Sequence, residues 1–227
     1  MRKTIFVIIA LLGIGFGAKA QIPVDPNFSI GVKGGATISK QMFSPSVEQT
    51  MLPGFMGGVM LRYIEEKYFG IIAEVNFEQR GWKEKFKETP FYYQRRLSYV
   101  HVPLLAHIYF GKERLKFFFN AGPEIAFLIG EASDANFDYH NPSGVEGLPL
   151  ENRNTAQFTM DIKNKIDYGI SAGLGTEVNL NKRNSFVLEG RFYYGLNNIF
   201  GANKKDIFAA SNSISIMVSL GYMFRVK

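Results

Sequence analysis

The chain has 227 residues, 46% of them hydrophobic and 20% charged, with no cysteine; this is the length of one domain and it excludes disulfides, thiol catalysis and thiolate metal centres. The formal charge is +6, but Arg2, Lys3 and Lys19 fall in a segment expected to be removed, which leaves about +3 and no nucleic-acid footprint. No run reaches the roughly 18 apolar residues of a membrane-spanning helix.

The first predicted element is a leader. Arg2 and Lys3 precede an apolar stretch from Ile5 to Phe16, and Ala18-Lys19-Ala20 has the small-x-small form of a cleavage site. Residues 1–20 therefore read as a signal peptide and 21–227 as the mature domain. No Cys stands at the junction, which excludes a lipoprotein anchor.

Eight segments with period-two alternation follow, the pattern of strands rather than helices. In the first, Phe28, Ile30, Val32, Ala36 and Ile38 oppose Ser29, Lys33 and Thr37. In the second, Phe55, Val59, Leu61 and Tyr63 oppose Met56, Met60 and Arg62; in the third, Ile71, Ala73, Val75 and Phe77 oppose Glu74, Asn76 and Glu78. The fourth sets Val100, Val102, Leu104, Ala106 and Ile108 against Tyr99, His101, His107 and Tyr109, and the fifth sets Phe117, Phe119, Ala121, Ile125 and Phe127 against Lys116, Asn120 and Glu124. The sixth alternates Ile166, Tyr168, Ile170, Ala172, Leu174 and Val178 with Asp167, Ser171 and Glu177. Phe186, Leu188, Phe192 and Tyr194 oppose Glu189 and Arg191 in the seventh; Ile216, Val218, Leu220, Tyr222 and Phe224 oppose Met217 and Ser219 in the last.

The apolar faces carry no charge at all. Hydrocarbon imposes that exclusion, because a Lys or Arg near the bilayer midplane costs about 2–4 kcal/mol. The connections then choose between a lipid-facing barrel and a soluble sandwich with the faces reversed. Those at 65–68, 111–114 and 181–184 are tight, whereas those at 39–53, 81–94, 130–165 and 197–212 are long, as in outer-membrane barrels. The predicted fold is all-β, an eight-stranded antiparallel up-and-down transmembrane barrel with short periplasmic turns and long extracellular loops. Phe28, Tyr63, Phe69, Tyr109, Phe110, Phe117, Phe186, Tyr222 and Phe224 would form the periplasmic aromatic girdle.

An eight-stranded barrel is just wide enough for side chains to fill it. Lys33, Arg62, Lys116 and Arg191 would face Glu74, Glu78, Glu124, Asp167, Glu177 and Glu189 as a lumen charge cluster that plugs the pore. Pro103 and Pro123 fall within strands, where each removes a ladder hydrogen bond and calls for a local bulge.

The segments Gly31-Val32-Lys33-Gly34-Gly35, His101-Val102-Pro103-Leu104-Leu105, Asn120-Ala121-Gly122-Pro123 and Tyr194-Gly195-Leu196-Asn197-Asn198-Ile199 resemble those of the PorT-like outer-membrane β-barrel family. The likeness runs from about Phe28 to Phe224. It implies an integral barrel in a Gram-negative outer membrane, and the family's name-giving members take part in secretion across that membrane. The C-terminal spacing of Ser219, Gly221, Phe224 and Val226 resembles the signal read by the barrel-assembly machinery, although Lys227 rather than an aromatic residue closes the chain.

Candidate chemistry is sparse. His101 and His107 project inward near carboxylates, but their spacing matches no metal-ligand pattern, so lumen histidines are expected and no metal or cofactor. Asp134-x-Asn136-x-Asp138 begins like a calcium loop, yet Tyr139 stands where Gly is needed and no Glu follows at the twelfth position. Gly31 and Gly34-Gly35 do not open a helix and are no nucleotide fingerprint. No Ser-His pair suggests a lipid-modifying enzyme. In the second long connection Arg80, Lys83, Lys85, Lys87, Arg95 and Arg96 alternate with Trp82, Phe86, Phe91, Tyr92 and Tyr93. Two readings stand equally: contacts to lipopolysaccharide phosphates with the aromatics at the outer interface, or a solvated hairpin extension. The functional expectation is a non-enzymatic envelope or interaction role. An accessory of a secretion or surface-export machine is the alternative, with a narrow channel and then a lipid-modifying enzyme behind it. Expected partners are outer-membrane lipid, lipopolysaccharide, the assembly machinery, and envelope or secretion proteins.

Overall fold

A computed structural model describes residues 27–86, 88–151, 153–201 and 207–226. The predicted signal peptide and Lys87 lie outside them. Among the described residues nine strands form one antiparallel sheet: β1 (Asn27–Ser44), β2 (Gln49–Thr50), β3 (Leu52–Ile64), β4 (Phe69–Lys85), β5 (Tyr92–Gly111), β6 (Leu115–Ala135), β7 (Ile166–Asn179), β8 (Asn184–Gly195) and β9 (Ala210–Arg225). Eight close into a ring, because β1 pairs with both β3 and β9 and β4 pairs with β5. The two-residue β2 lies outside the ring and pairs with Lys83 and Glu84 of β4.

The lipid-facing set is apolar along every ring strand. Val59 is 48% exposed, Leu174 68% and Val218 55%. Continuous apolar exposure on this scale is untenable in water and is what hydrocarbon requires. Inward neighbours such as Lys33, Glu74 and Arg191 are buried.

The strands run further outward than the alternation predicted. Residues 39–44, 81–85, 92–94 and 130–135, expected as loop, continue the sheet, with Lys85 opposite Tyr92 and Tyr93 opposite Ala135. β1, β4 and β5 keep their parity, β6 moves by one residue at the register shift opposite Ser98 and Tyr99, and the polarity of the two faces exchanges. Trp82, Glu84, Phe86, Tyr93 and Leu97 point inward and are buried, while Lys85 and its neighbours Lys83, Gln94 and Arg96 lie on the outer face. The solvent outside the cylinder has changed from lipid to water, so apolar side chains move to the inside, as in a soluble sheet. The true extracellular connections are 45–51, 86–91, 136–165 and 196–209.

No bulge accompanies either proline. The β4–β5 ladder skips Val102 and Pro103 between the Ala73–Leu104 and Asn76–His101 pairs without a register shift, and the β5–β6 ladder does the same beside Gly122 and Pro123. Leaving two pairs unbridged in each ladder removes the need for the missing N–H, so no extra residue is inserted. Gly122 permits this close approach, since a Cβ there would meet the Leu104 carbonyl oxygen at 2.0 Å. The register shift in this pair lies elsewhere, between Ser98 and Tyr99. Gly81 has a φ of +146°, and a Cβ there would meet the Arg95 carbonyl oxygen at 2.0 Å, so the exit of β4 from the membrane band depends on glycine.

Candidate functional site

The lumen is built in layers from residues of inward parity. At the short-turn end Arg62 holds Glu177 with two bonds of 2.8 and 2.9 Å, and Ser185 donates to the same carboxylate at 2.7 Å. Lys116 lies 5.0 Å from the Tyr109 ring, and among the described residues it makes no ion pair. Above them sits a small apolar layer of Met60, Ile72, Leu105, Phe118, Val187 and Met223, which the charge pattern had not suggested. Tyr109 packs against this layer. Its ring stacks on His107 and its hydroxyl donates to the Glu66 carbonyl. It therefore leaves the predicted girdle, because it shares its parity with His107 rather than with Phe110.

The middle layer is a four-membered network. Lys33 lies 2.6 Å from Glu74, and Arg191 grips Glu74 through both terminal nitrogens at 2.8 Å while also bonding Glu189. Asn76 donates to Glu74 and Asn120 to Glu189, each at 2.8 Å, and His107 bonds Asn120 at 2.7 Å. Two cations and two anions balance, and amides fill the remaining lone pairs, which is the condition under which buried charge is tolerated.

The third layer centres on Arg80, a residue that the charge pattern groups with the second long connection. Arg80 is 1% exposed. Its Nε donates to Glu78 at 2.7 Å, its Nη2 reaches Glu124, and Asp167 lies 3.6 Å away. The Tyr193 ring stacks on its guanidinium at 3.9 Å, with Tyr99 at 5.6 Å. Arg80 cannot touch lipopolysaccharide. The signal for this was parity, since Arg80 continues the series Glu74, Asn76, Glu78. His101 lies 3.0 Å from Glu124, and atoms of Glu78, His101 and Glu124 come within 4.8 Å of one another, a spacing that could hold a metal ion. Arg80 already holds both of these carboxylates.

Beyond the membrane band the cylinder is closed by aromatic packing. Phe43, Trp82, Phe200 and Phe208 meet with centroid separations of 4.9–6.0 Å, and Tyr93 packs on Phe158 at 4.6 Å. The segment 153–162 folds over the opening and is tied down by Tyr93 donating to the Phe158 carbonyl and by Arg95 donating to the Met160 carbonyl. Trp82, Phe86 and Tyr93, expected at the outer interface, are thus inside, and Arg95 joins them, paired with Glu131 at 2.8 Å. Each fully buried side chain of this size contributes about 1.5–3 kcal/mol.

One acid is trapped in this cap. Glu84 accepts from Gln157 at 3.0 Å and from Trp82 at 3.3 Å, with Arg153 at 3.5 Å. Burial pushes its carboxyl up from 4.5 to about 7. A carboxyl raised in the folded state contributes its full stabilisation below about 4.5 and loses it as pH rises through about 7. The cap should therefore be tighter at pH 5 than at pH 8, by about 3 kcal/mol for a shift of this size. Hydrogen-exchange protection of residues 157–162 should fall across that interval in the native chain and stay level in Glu84→Gln; equal pH dependence in the two would disprove the assignment.

Of the expected lipopolysaccharide contacts, Lys83, Lys85 and Arg96 remain on the outer surface. They occupy one patch of the β4–β5 hairpin just above the apolar band, where Gly81 opposes Arg96, Lys83 opposes Gln94 and Lys85 opposes Tyr92. Lys83 lies 5.3 Å from the Tyr92 ring.

Residues 19–201 match the sequence profile of a family described as outer membrane protein beta-barrel domain. A comparison with curated proteins finds no match. Among solved structures, Neisserial surface protein A aligns with a TM-score of 0.48 and 11% identity, covering 87% of this chain and 96% of its own. Ail, the attachment invasion locus protein of Yersinia pestis, solved with the heparin analogue sucrose octasulfate, gives 0.41 and 14%, covering 88% and 100%. The N-terminal β-barrel domain of Pseudomonas aeruginosa OprF gives 0.39 and 11%, covering 87% and 96%.

Proposed function

This chain belongs to the outer-membrane β-barrel domain family, and from that premise we propose that it is a closed, non-enzymatic barrel of the Gram-negative envelope that acts through its outward surfaces. The observation that carries this reading is the double seal. Charged layers around Glu74 and Arg80 fill the membrane-spanning lumen, and the aromatic cap around Trp82 closes the extracellular end. Transport through the cylinder would require both to be dismantled. What remains available is the rim, where Lys83, Lys85 and Arg96 lie on the outer face beyond the apolar stretch and can pair with lipopolysaccharide phosphates through charge-assisted bonds.

The triple variant Lys83→Gln/Lys85→Gln/Arg96→Gln should raise outer-membrane permeability to hydrophobic antibiotics, while the purified native barrel should stay silent in planar bilayers. Steady conductance from the native protein, or unchanged sensitivity in the variant, would count against the proposal. The PorT-like likeness supports a second reading, an accessory of a secretion machine, and normal secretion after gene deletion would remove it. The first reading is favoured because residues carrying that likeness, among them Gly35 and Gly122, sit where strands approach too closely for a Cβ, which is a packing role.

A further inference from the structure

A cavity of about 660 Å³ lies at the periplasmic mouth between the β5–β6 and β7–β8 turns and the end of β9. Its charged lining is Arg114, Lys116, Lys182 and Arg225 against a single acid, Glu113. We propose that this mouth is a binding site for a multiply charged phosphate-class oxyanion, with Lys116 and Arg225 as its anchoring residues.

The case begins with the charge account of the layer. Lys116 stands opposite Glu177 in the β6–β7 ladder and Arg225 opposite Ser29 in the β1–β9 ladder, so both have inward parity. Glu177, the carboxylate opposite Lys116, is already engaged by both terminal nitrogens of Arg62 and by Ser185. Among the described residues neither Lys116 nor Arg225 makes an ion pair, in contrast to the matched middle layer of Lys33, Glu74, Glu189 and Arg191. Like charges that face one another across a low-dielectric mouth raise the local potential and draw in an anion. The guanidinium fork of Arg225 suits a tetrahedral oxyanion, and Lys116 supplies a point charge beside it.

The frame is braced. The Asn179 amide N–H donates to the Arg114 carbonyl, the Asn179 side chain donates to the Glu113 carbonyl, and the Arg225 amide donates to the Arg183 carbonyl at 2.7 Å. The turns that carry Arg114 and Lys182 are therefore fixed relative to the anchors, which lowers the ordering cost of binding. Phosphate groups reach this mouth from two sources, a soluble phosphate in the periplasm or the headgroup of an inner-leaflet phospholipid, and the chemistry of the site is common to both.

The test is a 31P NMR titration of the mature chain with inorganic pyrophosphate, in a phosphate-free non-ionic detergent. The native protein should shift and broaden the resonance saturably, and Lys116→Gln/Arg225→Gln should weaken binding at least tenfold. Lys67→Gln, on the β3–β4 turn outside the cavity, should leave it unchanged. Should the interior pair fail to fold, Arg114→Gln/Lys182→Gln, with exposed turn side chains, should give the same loss. Transfer into discs containing phosphatidylglycerol separates the sources: competition with pyrophosphate assigns a lipid headgroup, and undiminished binding assigns a soluble ligand. A native resonance that pyrophosphate leaves unmoved, or equal affinity in the folded variants, overturns the proposal.

Discussion

Arg191→Leu should destabilise the barrel by roughly 3–5 kcal/mol, the cost of leaving a buried charge without its partner. Arg191 is 3% exposed and, among the described residues, is the only one that bonds both Glu74 and Glu189 through paired nitrogens. Without it Lys33 alone faces two buried carboxylates, and the 3.6 Å approach of Lys33 to Glu189 cannot replace the lost bonds. Urea unfolding in detergent, followed by circular dichroism, should show a lower midpoint. Adding Glu189→Gln to Arg191→Leu should restore part of the loss, since it removes the charge left over. If Arg191→Leu alone unfolds like the native chain, the middle layer does not hold the barrel together.

Val59→Arg should cost about 2–4 kcal/mol by a different mechanism, the transfer of a charge to hydrocarbon near the midplane. Val59 lies at the centre of the apolar series running from Phe55 to Tyr63 on β3 and pairs with Val32 and Val75 on its two neighbours. Gln94→Arg provides the contrast. It occupies the same outer surface on β5 but above the band, next to Lys83, and should change stability by no more than about 0.5 kcal/mol. The difference between the two substitutions, read from the same urea curves, measures where lipid ends. Equal costs would mean that the sheet has one solvent along its whole length.

The spanning part of every ring strand was legible in the sequence, because lipid enforces a strict rule on alternate residues from Phe28 to Ile38 and on each later segment. The lumen acids and bases followed from the same parity. What escaped was the outward continuation of the strands. Residues such as Lys83 and Lys85 read as loop because charge appears on the apolar face, whereas the strand persists and only its surroundings change. That exchange of faces also hid the destination of Trp82, Phe86 and Tyr93, and it placed Arg80 on a surface that it never reaches. The docking of Gln157 and Phe158 on the cap depends on contacts across some seventy positions, as in Gln157 to Glu84, and no local pattern encodes it.

Nitroxide accessibility tests the orientation of the sheet most directly, and the absence of native cysteines makes single-site labelling straightforward. With the protein in lipid bilayers, labels at Val59, Leu174 and Val218 should collide readily with oxygen and be shielded from a water-soluble nickel chelate, while labels at Lys83 and Lys85 should show the reverse. Free access of the nickel reagent to Val59, Leu174 and Val218 would contradict the account, because the uncharged surface would then face water.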